Sequence, residues 1–199
     1  MPRPSLYPDT REHILDVGEQ LIQQRGFTAL GLSELLKIAG VPKGSFYHYF
    51  SSKEGFGVAL LTRHFAHYDC WMQKLFTESP DVNQRECLLR YFALWIERAS
   101  CSDQMSSCLA VKLSGEVADL SEPMREALAL GMNQVVAHLA AAIDAGVKQG
   151  SLAAVDSPSR LAEALYASWL GIALRVKVLR DVAPMRQLLL DTEQRLRTP

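Results

Sequence analysis

The chain has 199 residues, of which 48% are hydrophobic and 22% are charged, and its formal net charge is −1 at pH 7. This length and hydrophobic content are sufficient for a packed core in one large domain or two small ones. The nearly neutral charge excludes a globally basic nucleic-acid-binding protein, so a DNA-binding surface would have to be local.

Neither an export signal nor a membrane span is predicted. The first 13 residues lack the apolar stretch of a signal peptide, and no window reaches the roughly 18 unbroken apolar residues of a spanning helix. The four cysteines show neither C-x-x-C spacing nor histidines at zinc-finger spacing. We therefore expect a cytoplasmic protein with free thiols, no membrane partner, no metal site and no cofactor.

Apolar residues recur at helical spacing along most of the chain, and glycines, prolines and capping serines punctuate the pattern. The predicted helices cover about residues 10–25, 33–39, 43–50, 53–78, 84–99, 107–117, 122–150, 158–180 and 184–197. The sequence therefore predicts an all-α fold of about nine helices.

The stretch from Leu32 to Lys53, LSELLKIAGVPKGSFYHYFSSK, has the pattern of a helix-turn-helix. Gly40 supplies the backbone freedom of a tight turn, and Pro42 sets φ for entry into the second short helix. Apolar side chains stand where two crossed helices must touch, namely Ala39, Val41 and Phe46. A helical hairpin with a merely solvated polar face fits this pattern equally well.

The second short helix carries side chains suited to a major groove. Lys43 is placed to reach a guanine edge or a phosphate, and Gly44 allows close approach of the backbone. Ser45, Tyr47 and His48 are predicted to face outward, whereas Phe46, Tyr49 and Phe50 are predicted to anchor the helix inward. These polar side chains make this helix the candidate reading helix.

The charge pattern also favours phosphate binding in this stretch. No acidic residue lies between Glu34 and Glu54, and three lysines fall in that interval: Lys37, Lys43 and Lys53. Lys53 begins the next helix, where backbone N–H groups and an ammonium together favour phosphate.

The segment GFTALGLSELLKIAGVPKGSFYHYFSSKEGF resembles the N-terminal DNA-binding region of the TetR family. The AGV turn, the following Lys-Gly, the Tyr-His-Tyr-Phe run and Ser-Lys-Glu carry the resemblance. It implies phosphate contacts from Tyr47, His48 and Lys53, and base contacts from Lys43 and Ser45. Ser33 is the one hydroxyl contact left on the first short helix, because Gly31-Leu32 precede it where many relatives carry hydroxyl residues.

The resemblance also implies a DNA-binding domain over residues 1–54 and a regulatory and dimerisation domain over residues 55–199. A two-fold homodimer would read a pseudo-palindromic double-stranded operator, with the two heads about one helical turn of DNA apart. The expected dimer surface is the apolar face of the last two helices: Leu161, Leu165, Trp169, Leu170, Ile172, Ala173 and Leu188–Leu190. Periodicity alone is equally compatible with these residues closing the core of one chain.

Cys108 is the candidate for a reactive thiol. It follows Ser106-Ser107 in the first turn of a predicted helix, with Lys112 four residues later on the same face. A helix N-terminus and a nearby cation both favour thiolate. Cys101, in the preceding loop, is either a resolving partner or a free loop thiol. Two other cysteines, Cys70 and Cys87, are expected to pack as small hydrophobic residues.

Further runs, DTREH, SCLAVKLSGEVADLSEPMR and LYASWLG, extend the resemblance to TetR-type repressors that respond to electrophiles and oxidants through cysteine chemistry. It implies that Cys108 is the sensor, and Lys177 in the run LRVKVLR is a candidate helper. A small electrophile or oxidant is then the expected signal.

Two alternatives remain open. One is a repressor released by a reversible apolar ligand in a pocket lined by large side chains: Trp71, Tyr91, Phe92, Trp95 and Met105. Side chains of this kind form core more often than pocket. The other is an enzyme that consumes electrophiles through Cys108. Enzyme activity is not expected, because no base–nucleophile–orienting set stands near Cys108 in the sequence.

Overall fold

The computed structural model describes residues 9–77, 83–100 and 109–199, and these residues form nine helices and no strand. The helices are α1 (Thr10–Arg25), α2 (Leu32–Ala39), α3 (Lys43–Tyr49), α4 (Lys53–Thr77), α5 (Gln84–Ser100), α6 (Leu109–Val117), α7 (Glu122–Gln149), α8 (Pro158–Leu179) and α9 (Ala183–Arg195). The all-α prediction is confirmed.

Local capping explains where several helices begin. The Asp9 side chain accepts a hydrogen bond from the Glu12 N–H at the start of α1. Ser121 and Ser157 cap α7 and α8 in the same way, and each of these two helices carries proline in its first turn. Side-chain oxygens accept hydrogen bonds from otherwise unpaired N–H groups there, so these helix starts can be predicted from the sequence.

Two hydrophobic cores share the helices α4 and α7. The first core contains side chains of α1–α3, the N-terminal half of α4 as far as Phe65, α6 and the start of α7. The second gathers the rest of α4 and α7 with α5, α8 and α9 around Trp169, which is fully buried. The predicted division after residue 54 remains a prediction, and the first core continues past that position.

A charged seam joins α1 to α4. The Arg63 side chain, 8% exposed, donates to Asp16 at 2.6 Å, to Glu19 at 2.7 Å and to Glu12 at 3.2 Å. A hydrogen bond with His64, and after it the contact with Arg63, holds the pKa of Glu19 below its ordinary value despite burial. Arg63 thus offsets part of the negative charge on the side of α1 that packs against α4.

The face of α8 that was expected to dimerise lies mainly inside the chain. Leu165, Trp169 and Ala173 are 1%, 0% and 6% exposed. The Trp169 indole N–H donates to the Thr192 hydroxyl at 3.1 Å, which fixes α8 against α9. As a dimer surface these three residues were wrongly predicted. They close the second core instead, since this face of α8 packs against α7 and α9 of the same chain.

Within the described residues, α7 is the one helix long and apolar enough to cross a membrane by length and composition alone. One side of α7 packs against α4 and α8, with Val135, Leu139 and Ile143 almost completely buried. A core helix that contacts several others, here α4, α5, α6 and α8, has this apolar composition.

Candidate nucleic-acid interface

The turn between α2 and α3 has helix-turn-helix geometry. Gly40 ends α2 in the left-handed conformation, with φ of +66°, and its N–H contacts the carbonyls of Leu36 and Lys37. The Val41 N–H donates to the Leu36 carbonyl at 3.1 Å, and Pro42 then opens α3. A left-handed residue after the last turn is the usual glycine termination of a helix.

Two phenylalanines anchor α3 in the first core. Phe46 is 0% exposed and Phe50 is 3% exposed, and their ring centroids lie 5.7 and 5.2 Å from that of Phe56. Tyr49, in contrast, is 40% exposed, so the prediction that it points inward is wrong. Phe46 and Phe50 are one helical turn apart and share a face, and Tyr49 lies outside that face.

The opposite side of α3 is open to solvent. Lys43, Gly44, Tyr47 and His48 are exposed, and Ser45 is half-buried. The Lys43 ammonium lies 5.7 Å from the centroid of the Tyr47 ring. A Cβ atom at Gly44 would meet no atom within 4 Å. The structure therefore gathers most of the predicted contact residues on one accessible surface.

The start of α2 also offers backbone donors. Its N-cap is Gly31, with no side-chain cap, and Ser33 in the first turn is exposed. Exposed N–H groups at a helix N-terminus bind phosphate well. This surface, formed by the first turn of α2 and the open side of α3, is called the reading surface below.

Lys53, predicted as a phosphate contact, already makes contacts within the chain. Its ammonium donates to the Thr28 carbonyl at 3.3 Å and lies 4.9 Å from the centroid of the Phe27 ring. Partial burial lowers the pKa of Lys53. A phosphate contact from Lys53 remains a prediction, and this ammonium already holds the α1–α2 turn.

Of the lysines predicted to assist the sensor, Lys112 is partly buried and contacts α1. Burial, and next the Lys177 ammonium, lower the pKa of Lys112, whereas Glu116 opposes that shift. The Lys112 ammonium also donates to the Gln23 carbonyl of α1 at 2.6 Å. The sensor candidates Cys101 and Cys108 lie outside the described residues, so their predicted roles remain predictions.

The other two cysteines differ from each other. Cys87 is 5% exposed, and burial raises the pKa of its thiol, so its packing as a hydrophobic residue is confirmed. Cys70 is exposed on α4, and the same prediction for Cys70 is wrong. Among the described residues, no group of three His, Cys, Asp or Glu side chains is arranged to hold a metal ion.

The predicted aromatic pocket is largely filled by its own side chains. Tyr91 and Phe92 are fully buried and Trp95 is 8% exposed, and their rings contact one another and Trp169. Trp71 remains partly exposed, and Met105 lies outside the described residues. These buried rings are core, which is the more common role of such side chains.

Two charged residues with long-range contacts were not predicted from the sequence. Arg63 binds carboxylates 44–51 residues away, and Glu116 accepts backbone hydrogen bonds from residues 88 and 89 positions earlier. For Glu116, the sequence did contain one indication: its spacing of four residues from Lys112 places both side chains on one face of α6.

These features define a class of protein. A short helix is held by buried phenylalanines, presents lysine, tyrosine and histidine to solvent, and follows a glycine turn. The fold and this surface are those of a helix-turn-helix DNA-binding regulator with an all-α body.

Comparison with known proteins identifies the family. Residues 14–60 match the model of bacterial regulatory proteins of the tetR family, and residues 85–190 match the tetracyclin repressor-like C-terminal domain. The chain is 47% identical to the transcriptional repressor NemR of Escherichia coli K12 over 191 residues, covering 96% of each chain. It is 33% identical to the repressor DhaR of Mycobacterium sp. strain GP1 over 179 residues, covering 90% and 88%.

A solved structure gives the same answer. The crystal structure of reduced E. coli NemR superposes with a TM-score of 0.91 at 48% identity, covering 96% of this chain and 98% of that one. The chain belongs to the TetR family, and it is a NemR-like transcriptional repressor of the TetR type. Regulators of this family bind operator DNA and act as homodimers.

Proposed function

We propose that the repressor leaves its operator when an electrophile or oxidant modifies Cys108. The observation that carries the proposal is the sequence position of this cysteine directly before α6, a helix whose Lys112 contacts the end of α1. The likeness to NemR, whose crystal structure is described as a reduced form, supports a thiol-based signal.

The reaction requires the thiolate. Helix N-termini and nearby cations in general favour the thiolate over the thiol. With a maleimide, the sulfur forms a bond to one alkene carbon and water supplies a proton to the other. With an oxidant such as diamide, two thiolates give up two electrons to the reagent and form a disulfide. Modification is therefore faster as pH rises through the thiol pKa.

In this proposal the unmodified homodimer acts in the cytoplasm on a pseudo-palindromic operator and has no enzymatic role. Lys43 and Ser45 face the bases, and the phosphate contacts come from Ser33, Tyr47, His48 and Lys53. Gly44 lets the α3 backbone approach the groove. Modification moves the two reading surfaces out of register with successive major grooves.

A mobility-shift assay tests the trigger. Reduced protein is expected to shift the duplex upstream of its own coding sequence, and both N-ethylmaleimide and diamide are expected to abolish the shift. Dithiothreitol should restore binding after diamide but not after N-ethylmaleimide, because only the disulfide is reducible. Release that ignores both reagents would instead favour the reversible apolar ligand. Consumption of more than one electrophile per chain would favour the enzyme.

We also propose which face joins the two protomers. One stripe of α8 is exposed and consists of small or aliphatic residues at alternating spacings of three and four: Ala164, Ala167, Gly171, Leu174 and Val178. Leu174 is 55% exposed and Val178 is 75% exposed, and Leu190 of α9 is 51% exposed. Small residues let two helices approach closely, and the flanking leucines and valine supply apolar area.

Introducing charge on this stripe is expected to separate the protomers. A Leu174→Glu and Val178→Glu double variant should sediment as a monomer and bind operator about 100-fold or more weakly, since each monomer reads only one half-site. Leu120→Glu is the matched control, because Leu120 is 71% exposed outside this stripe. A double variant that sediments as a dimer would rule out this face.

A further inference from the structure

The helix α6 holds the turn that connects α1 to α2. The Glu116 carboxylate accepts hydrogen bonds from the backbone N–H groups of Phe27, at 2.7 Å, and Thr28, at 3.3 Å. These N–H groups follow the end of α1 and would otherwise need another acceptor. A carboxylate that accepts two backbone N–H groups is a charge-assisted contact of the stronger kind.

One turn earlier on the same face of α6, Lys112 holds the end of α1 itself. Its ammonium donates at 2.6 Å to the Gln23 carbonyl, which belongs to the last turn of α1. The carbonyls of a last helical turn lack partners within the helix and carry partial negative charge, so a cation is favourable there. Lys112 and Glu116 together are called the α6 latch.

The turn is shaped to receive the latch. Gly26 has φ of +89°, and a Cβ atom at this position would lie 2.4 Å from the nearer Glu116 carboxylate oxygen. An alanine at residue 26 would therefore be strained and would also displace the carboxylate. The bare backbone of Gly26 lets α6 rest directly on the end of α1.

The turn between α1 and α2 is also contacted by Lys53, the first residue of α4. Lys53 donates to the Thr28 carbonyl and covers the Phe27 ring. The N–H of Thr28 therefore donates to α6, and its carbonyl accepts from Lys53 at the start of α4, which three residues separate from the end of α3. A displacement of α6 thus reaches the reading surface through one peptide turn, in addition to any path along α4.

We propose that Lys112 and Glu116 are the positioning residues that transmit the signal from the segment before α6 to the reading surface. This inference rests on the proposed function, in which modification occurs at the residue directly before α6. Hydrogen bonds of 2.6–2.7 Å weaken steeply when their geometry changes, whereas apolar contacts tolerate small shifts. The α6 latch therefore opens on a movement that the buried leucines of α6 accommodate.

The test measures coupling and not affinity alone. For each protein, the operator Kd is measured before and after treatment with saturating N-ethylmaleimide. The Kd after treatment divided by the Kd before it reports how strongly thiol modification is coupled to operator binding. Glu116→Ala, and the Lys112→Met and Glu116→Ala double variant, are expected to give a ratio at least about five-fold smaller than wild type. Mass spectrometry must show the same number of modified thiols in every protein compared.

A matched control removes the same two charges from α7, as Lys148→Met with Glu126→Ala, and should keep the wild-type ratio. If the latch variants alter Kd or Tm but keep the wild-type ratio, the α6 latch is only structural and the inference fails. The single variant Glu116→Gln keeps the side-chain volume and one acceptor oxygen but loses the negative charge. It is the milder substitution if the double variant does not fold, and its ratio of operator Kd values should also be smaller than that of wild type.

The wild-type protein separates the two levels of failure. If N-ethylmaleimide leaves wild-type operator binding unchanged, the proposed function is wrong and no signal exists for the α6 latch to transmit. If N-ethylmaleimide releases wild type and the latch variants from the operator equally, the proposed function is supported and the role of the α6 latch in transmission is refuted.

Discussion

A chain carrying both Lys43→Ala and Tyr47→Ala is expected to bind operator about 100-fold or more weakly at moderate salt. Lys43 and Tyr47 lie on the exposed side of α3, with the ammonium 5.7 Å from the tyrosine ring centroid. Loss of a base contact costs about 1–3 kcal/mol, and a lost phosphate contact adds to it in each protomer. Mobility shift or fluorescence anisotropy on the operator duplex measures the effect.

The salt dependence gives an independent reading of the same variant. Removal of one lysine charge from the reading surface of each protomer should make the slope of log K against log salt shallower, by at most about two. Lys74→Ala is the matched control, because it removes an equal charge about 30 Å further along α4 than Lys53. Unchanged duplex binding by the double variant would refute the reading surface and the operator model that depends on it.

Cys108→Ser is expected to abolish release by electrophiles while it preserves operator binding. Serine has nearly the shape of cysteine, but its hydroxyl does not ionise or add to a maleimide at neutral pH. Operator binding by this variant should therefore be the same with and without N-ethylmaleimide, whereas wild type is released. Titrating the reagent in a mobility-shift assay gives the comparison directly.

The control for this variant is Cys70→Ser, which removes the exposed thiol of α4 and should leave release intact. Cys87 is less suitable, because it is buried and its pKa is raised by burial, so it reacts slowly and its loss affects packing. A Cys108→Ser dimer that still leaves DNA under N-ethylmaleimide would assign the signal to another group.

The α6 latch and the Arg63 seam divide the attachment of the DNA-binding helices between two helices of the body. Arg63 holds the side of α1 that packs against α4 through three carboxylates, Lys112 holds the C-terminal end of α1, and Glu116 holds the turn that follows it. All of these contacts are ionic or charge-assisted, and they act on α1 and the turn after it and not on α3. The reading surface is therefore positioned as a unit, and its internal packing on Phe46 and Phe50 is left undisturbed.

The helices and the turn between α2 and α3 were determined by the sequence alone. Cap residues, glycines and apolar spacing act within a few residues, so Asp9, Gly40, Ser121 and Ser157 specify boundaries without knowledge of the fold. The same local chemistry placed Lys43, Gly44, Tyr47 and His48 on an open helix side. The predictions of operator binding and of a homodimer came from the family resemblance.

Only the tertiary structure decided which of two apolar faces on α8 closes the core, because helical periodicity is identical for a face that meets its own chain and one that meets a partner. It also decided that Tyr49 and Cys70 are exposed, and that Glu116 meets the turn after α1, 88–89 residues away in the chain. Contacts of that kind depend on how helices pack against one another, and no local pattern of residues encodes them.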